Sequence, residues 1–540
     1  MVKAFVRQLG AQPGVQLSPL RDLSEGFAPD QSDQVFAVPM RSKRGRIDRP
    51  FLVNAGNALR RLGSGESIRA SALNEALVQV NEALNSGAAA AVVHRLTTAG
   101  ASLSYIIVTA DAVTGNLAFS VSASLPGTAY LMAIRHMDCF ADGIRVEVHA
   151  DALMMNGAQV DATSVTVQLR DPVDGEILFS VTGSLNAAAL DDFGRSLYLP
   201  SVASQFDENE SVQFVVPPGG TIRVGSNAYG RDANGLDRTA QSAVLSYFLE
   251  GSTGYMAADY TLARTRLAET TLQFDYIASG GSQSTALLAQ MAQLAYDTGR
   301  QFRFDVAGTL LPDQAIAFVN QLAIDSHYCA AFWAPIQSDD ALNGGRAVIG
   351  TAAYNIARAC ARNAVTNAQG LAAKNRPIAG RGNPINRTGI RQLVMPTQAD
   401  LSNLANAHIN PVLFERFDGG GQYVFADSLT LARTNSSFRK LIAVSDMSTD
   451  LDNRITEFLR GVIHLPISEA TRKARDYMQA LFESAQGAGW LVPSADLDGA
   501  AFRFTVEPNR QSPEDRIDAA YALRYDGTTR QIFATQSIVR

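Results

Sequence analysis

The sequence predicts an α/β (α+β) multidomain protein: an α/β core, a β-rich outer domain inserted into it, and extended segments at both ends. Three observations point there. Strand and helix signals alternate over residues 34–96 and again over 284–365, the pattern of a sheet with helices on its faces. Between about Ser104 and Phe274 the apolar period changes from that of helices to that of strands. And 540 residues exceed what one hydrophobic core organises, so two to four domains are expected. The expected division is 1–26 as an N-terminal arm, 27–104 and 275–514 as the two parts of the core, 105–274 as the insert, and 515–540 as C-terminal strands.

Residues 1–26 show no helical period and contain two prolines. Val2, Phe5, Val6 and Leu9 are large apolar side chains there with no hairpin partner in sequence. A frayed terminus and an extended arm both fit. Residues 34–40 (QVFAVPM) predict a strand, and the basic stretch 41–49 (RSKRGRIDR) a solvated or interfacial loop. Leu73, Leu77, Val80 and Leu84 fall on one stripe, so 71–85 predicts a helix, capped by Ser71 and ended by Gly87. Residues 89–96 (AAAVVHRL) predict a buried strand.

In the insert, 144–150 (IRVEVHA) alternates as a half-buried strand does. Residues 164–170 and 176–182 flank Asp-Pro-Val-Asp-Gly, a hairpin signal. Residues 211–217 and 221–225 have the look of a second pair. Helical periodicity returns at 284–298, then a strand at 301–307 (QFRFDVA), a helix at 311–324 and a strand at 328–335 (YCAAFWAP). That last strand is apolar on both faces, as the centre of a covered sheet requires. A helix follows at 351–365, a long loop at 376–391, a short helix at 397–408, and strands at 411–417 and 422–426 around a glycine turn. Amphipathic helices are expected at 451–462 and 468–486. The second carries Arg472, Lys473 and Arg475 near its start, where cations oppose the helix dipole at about 0.3–1 kcal/mol each. Three strands are expected last, at 502–506, 516–525 and 531–539, the final pair joined at Asp526-Gly527. The last has no helix after it to cover its edge, so its hydrogen-bonding groups are either buried at home or meant for another chain.

Net charge is −6, which calls for no nucleic acid. Charged residues are 18%, below the roughly 25% usual in soluble domains. The cations are 41 Arg against 5 Lys, a bias that interfaces share and a GC-rich genome also produces. No basic-then-apolar leader pattern and no apolar run of about 18 residues is present, so a soluble chain made in a cytoplasm, with no membrane partner, is expected. Cys139, Cys329 and Cys360 are scattered and read as buried apolar residues. No pair among the six histidines has the spacing of a helical zinc site, and no HExxH occurs. The 345–351 stretch (GRAVIGT) lacks the lysine of a phosphate loop and reads as the entrance to a helix. No GxSxG elbow occurs. Spacing nominates no catalytic, cofactor or metal residue.

Several stretches together resemble the contractile tail sheath proteins of myophages, and more distantly those of R-type pyocins and type VI secretion systems. They are 34–40 through Leu62-Gly63, the helix from Leu73, GAAAAVVHRL at 87–96, DFGRSLYLPSVAS at 192–204, DYIASGGSQS at 275–284, 350–380, and LANAHINPVLFERFDGGGQYVFADSLTL at 404–431. Gly421, Val424, Asp427 and Thr430 match a family pattern, from which Ala426 and Ser428 depart.

The resemblance implies a non-enzymatic structural subunit without cofactor, polymerising as stacked hexameric rings around a tail tube. Contraction then drives the tube through the host envelope. Partners would be other copies of the chain, the tube protein, the baseplate and the tail terminator. The location would be the virion, after assembly in the host cytoplasm. It also implies strand-exchange arms, with Val2, Phe5, Val6, Leu9, Gln531, Ile532, Phe533, Ala534, Thr535 and Ile538 pairing between subunits. Arg472, Lys473 and Arg475 would face the tube. Another phage structural protein, of baseplate or capsid, and a soluble α/β enzyme with a β-rich insert are the alternatives.

Overall fold

The computed structural model describes residues 31–111, 116–127, 130–150, 160–206, 211–217, 220–224, 241–434, 436–534 and 536. The chain divides into two compact units. One comprises Ser32–Cys360 and Ile378–Ser445. The other, among the described residues, comprises Ala361–Pro377 and the chain from Asp446 onward.

The larger unit is organised by an eight-stranded sheet. Its elements in chain order begin with β1 (Val35–Met40), β2 (Phe51–Val53), α1 (Glu75–Ser86) and β3 (Ala90–Arg95). The β-rich insert supplies β4 (Tyr105–Ala110), β5 (Leu117–Ser122), β6 (Met132–His136), β7 (Ile144–Ala150), β8 (Ser164–Arg170), β9 (Ile177–Ser184), α2 (Leu199–Phe206), β10 (Val212–Val215) and β11 (Gln241–Leu245). The chain then returns through α3 (Ala257–Glu269), β12 (Tyr276–Ala278), α4 (Thr285–Thr298), β13 (Gln301–Val306), α5 (Pro312–Leu322) and β14 (Cys329–Trp333). It continues with α6 (Ala352–Asn363), α7 (Gln398–Asn406), β15 (Ile409–Phe417) and β16 (Gly420–Phe425). The sheet order is β2-β3-β1-β12-β13-β14-β15-β16. Neighbours are parallel except at the two ends, where β2 and β16 pair antiparallel.

Both faces of this sheet are covered, which is why strands such as β1 and β14 are apolar on both sides. Phe36, Val38, Met40, Ala91 and Val93 meet Leu77, Val80 and Leu84 of α1 and Ile356 and Cys360 of α6. The alternate residues Ala37, Val92, Ile277, Phe302, Phe304 and Trp333 meet α3, α4 and α5 through Leu267, Leu288, Met291 and Val319. The helix starts follow local chemistry. Ser284 accepts from Leu287 N at α4, and Thr397 and Asp400 form a reciprocal capping box at α7. The helix predicted over 71–85 opens as a 3-10 turn capped by Ser71 and ends at Gly87, with φ of 131°.

The insert folds as two four-stranded sheets, β9-β8-β7-β11 and β10-β6-β4-β5, around one core that includes Ile134, Val146, Val167 and Phe214. The β8–β9 hairpin turns at the expected Asp-Pro-Val-Asp-Gly. The second expected pair is corrected. Val212–Val215 pairs with β6, and Ile222–Val224 pairs with Val160–Ala162. Adjacency in sequence predicted the wrong partners because each strand completes a sheet begun earlier in the chain.

The basic 41–49 stretch is also corrected: Ser42, Arg44 and Arg46 are buried. Arg44 donates to Asp142 at 2.6 and 3.1 Å and pairs with Asp171, both carboxylates of the insert, and lies over the Phe140 ring. Burial works to raise the Asp171 carboxyl, and the Arg44 hydrogen bond and charge together with the backbone amides of Val173 and Asp174 outweigh it, holding the group below its usual range. Arg95, fully buried, donates to the carbonyls of Lys43, Gly45 and Cys139. The basic loop is therefore an internal clamp between insert and core sheet. Replacing Arg44 by Met leaves two carboxylates without their cation. We expect a loss of about 3–5 kcal/mol, read as a fall in the urea midpoint.

Candidate functional site: an open-edged hairpin and its anchor

The 345–351 stretch enters α6 as expected, but the anion position at that helix start is filled by the protein itself. Asp305 accepts from the backbone of Thr351 at 2.6 Å and Ala352 at 2.8 Å, and Glu75 accepts from Gly350 at 2.7 Å. A phosphate has no room there. The strand expected at 301–307 is β13, and all six of its residues are buried, with Arg303 donating to Asn355 and Asp305 seated on α6. Sequence pattern missed this site because alternation does not say whether the polar face meets water or a helix end.

His149 and His136 have structural partners, and His94 is held neutral by burial. His149 pairs with Glu147 at 2.9 Å, His136 contacts the Tyr247 hydroxyl at 2.6 Å, and burial drives His94 down to about 3. The three cysteines are free and buried, and burial pushes Cys139 and Cys329 up to about 12. Among the described residues no group of three or more His, Cys, Asp or Glu is placed to hold a metal, and no helix is long and apolar enough to cross a membrane.

The smaller unit is built on α8 (Ile442–Gly461) from Asp446, α9 (Ile467–Gly487), β17 (Phe502–Pro508) and β18 (Ile517–Leu523). Its interior holds an ion cluster. Lys374 donates to Asp450 at 2.7 Å and Arg454 to the same carboxylate at 2.8 Å, all three buried. Arg362 pairs with Asp446 at 2.8 Å one turn away. Burial alone would raise Asp450, but the charges of Lys374 and Arg454 outweigh it and hold it below its usual range. Trp490 donates its indole N–H to the Ala372 carbonyl. The 361–377 segment is thereby tied to α8 by charge and to the Trp490 turn by a hydrogen bond. The Asp450–Arg454 spacing of one helical turn was visible in sequence; Lys374 was not.

Strands β17 and β18 form a hairpin whose sheet has only these two members. Opposed residues share a face, so Phe502, Phe504 and Val506 lie with Leu523, Tyr521 and Ala519. That face rests on α9, where Phe482 contacts the rings of Phe502, Phe504 and Tyr521 at 5.5–5.7 Å. The other face is polar, with Arg503, Thr505, Glu507 and Asp518. Because Asn509 N bonds to Arg516 O, alternation turns the main-chain groups of Phe502, Phe504 and Val506 outward on one edge and those of Ala519 outward on the other. No further strand pairs with either edge among the described residues. A two-stranded ribbon is marginal by itself, and an uncovered edge is a template for another strand.

Beyond the hairpin, Asp526 N bonds to Trp490 O. The strand expected from 531 is not formed over 531–534. Gln531, Ile532, Phe533 and Ala534 are exposed there, Ile532 at 83% and Phe533 at 91%. The expected turn at Asp526-Gly527 therefore joins no strand pair. Val2, Phe5, Val6, Leu9, Thr535 and Ile538 lie outside the described residues.

The three cations of α9 are corrected in their energetics. The helix begins at Ile467, so Arg472, Lys473 and Arg475 lie past its first turn, where the dipole has faded. Arg472 pairs with Asp476 at 3.2 Å and Lys473 with Glu469 at 2.9 Å, each one turn apart, and Arg475 donates to the outward carbonyl of Val506 at 2.9 Å.

No family model and no curated protein matches the sequence. Among solved structures, the chain is similar to the sheath tail protein of Desulfitobacterium hafniense, at 15% identity and a TM-score of 0.47, over 96% of this chain and 98% of that one. It is also similar to a chain of the anti-feeding prophage baseplate, at 11% identity and a TM-score of 0.40, over 55% of this chain and 77% of that one. A chain of an extracellular contractile injection system, the PVC sheath complex in its contracted state, is similar at 12% identity and a TM-score of 0.41, over 52% of this chain and 80% of that one.

Proposed function

We propose that this chain is a structural subunit of a contractile tail sheath, polymerising as stacked hexameric rings around a tail tube and contracting without an enzymatic step. One observation carries the proposal: a hairpin that no third strand joins among the described residues, and a C-terminal segment that presents Ile532 and Phe533 to solvent. In an isolated chain that arrangement wastes both main-chain and apolar binding capacity. In a polymer it is a socket and a plug. Terminal residues of one copy, including Gln531 to Ala534 and by the same logic Val2, Phe5, Val6, Leu9, Thr535 and Ile538, would add as strands to another copy.

Burying Ile532 and Phe533 contributes about 1.5–3 kcal/mol each, and each main-chain hydrogen bond about 1 kcal/mol. A single link is therefore weak, and a lattice of them is strong by multivalency. An arm paired at its tip also stays attached while the body moves rigidly, which contraction needs. The tube protein, baseplate and tail terminator are the remaining partners, and the virion the location.

In this proposal Arg472, Lys473 and Arg475 face the tube. Replacing all three by Ala should then cut co-sedimentation with tubes and spare sheath polymers; unchanged co-sedimentation would remove them from the tube contact. Negative-stain microscopy of the purified chain tests the proposal itself. Open-ended tubes of stacked rings are the expected result. A closed cap or icosahedral shell would instead mark a baseplate or capsid protein, and a stable monomer at every concentration would point away from assembly.

A further inference from the structure

We infer that Glu75 and Asp305, buried together where α6 meets the sheet, form a proton-binding site that holds one proton at mildly acidic pH, releases it as pH rises through neutrality, and seats α6 while protonated. The groups around it come from every neighbouring element. From α1 come Glu75, Gln79 and Glu82; from β13, Asp305; from the loop ahead of α6, the amides of Gly350 and Thr351. Arg387 donates to Glu82 at 2.6 Å and to the carbonyls of Ile349 and Gly350. From the 279–283 turn, Ser279 and Gln283 contact the Asp305 backbone and are uncharged. Three carboxylates thus face one guanidinium, and that guanidinium is engaged by Glu82. One proton reduces the excess from two negative charges to one.

The site is built for two carboxyl groups. A Cβ on Gly281 would collide with the Glu75 carboxyl, and one on Gly350 with the Asp305 carboxyl, so both positions require glycine. Gln79 Nε2 bridges the pair, donating to Glu75 at 2.8 Å and Asp305 at 3.0 Å. Its own Oε1 is buried and has no partner, as is the hydroxyl of Thr351. Asp305 has three donors and sits on the helix N-terminus, which favours its anion. Glu75 has two, so the proton belongs on Glu75. Consistent with this, burial and then the Asp305 charge raise Glu75 to about 7.

The sign follows from the raised value. A carboxyl whose folded pKa exceeds its ordinary 4.5 stabilises the fold fully below 4.5, and that contribution is lost as pH rises to about 7. The folding equilibrium constant of the full chain, relative to Glu75→Gln, should fall about tenfold per pH unit across that window and level off above it. Infrared spectra should show a protonated-carboxyl band at pH 6 that disappears by pH 9 and is missing from Glu75→Gln. Asp305→Asn, which removes the neighbouring charge, should shift the titration of that band to lower pH. Parallel stability profiles for the native chain and Glu75→Gln would overturn the proposal. So would the absence of the band from the native chain at pH 6, which is readable even if a variant fails to fold.

Discussion

Removal of residues 531–540 leaves a chain that folds and no longer forms tubes. The expectation rests on where Ile532 and Phe533 sit. Both are almost fully exposed, so deleting them removes no packing from the unit they follow. The main-chain bond from Asp526 N to Trp490 O holds the chain upstream of the cut. Circular dichroism and the urea midpoint should therefore stay within about 0.5 kcal/mol of the native chain. Assembly should fail outright, because each ring would lose the segment that fills its neighbour's open edge. A lesser change, Phe533→Asp, should weaken polymers strongly, since it swaps about 1.5–3 kcal/mol of apolar burial per link for the cost of burying a charge. Sedimentation velocity distinguishes the two variants from the native chain at one concentration.

Asp450→Ala should have the largest effect on stability. It leaves Lys374 and Arg454 buried with no anion between them. Breaking a buried pair in this way costs about 3–5 kcal/mol, a large share of the 5–15 kcal/mol that holds a domain folded. The effect should be local to the smaller unit. The chain has two tryptophans, and Trp490 lies in that unit whereas Trp333 lies in the central sheet. In a Trp333→Phe background, indole emission reports on the smaller unit alone, and its transition should move to markedly lower urea. The pH dependence follows the opposite sign from Glu75. Asp450 is held below its ordinary 3.8, so its contribution is present above that value and lost as pH falls below it. Asp450→Ala should flatten that acid limb.

The covered sheet was legible because burial on both faces leaves an unmistakable apolar run, as in β1, β3 and β14. Helix limits were legible where a cap stands at the boundary, as at Ser71, Ser284 and Thr397. The failures share a cause: sequence shows polarity and not what the polar group meets. Arg44 and Arg46 read as a wet loop, yet they are buried, and Arg44 has two carboxylates of the insert to bind. Asp305 stood out only as one polar residue of an expected strand, yet it caps a helix. Lys374 and Asp450 are 76 residues apart and carry no local pattern. The final strand was read from strand chemistry and the Asp526-Gly527 turn signal, and over 531–534 it finds no neighbour to pair with.

The central claim, that the free C-terminal segment is completed by another copy, is tested most directly by mixed-isotope cross-linking. Single cysteines at Phe533 and at an exposed position of the hairpin edge, such as Thr505, would be placed in one chain. Polymers would be grown from equal parts light and heavy subunits and oxidised. The account predicts cross-linked peptides of mixed light and heavy composition at the statistical ratio, in tubes and not in monomers. Cross-links only within light or only within heavy chains, formed equally in monomers, would contradict it.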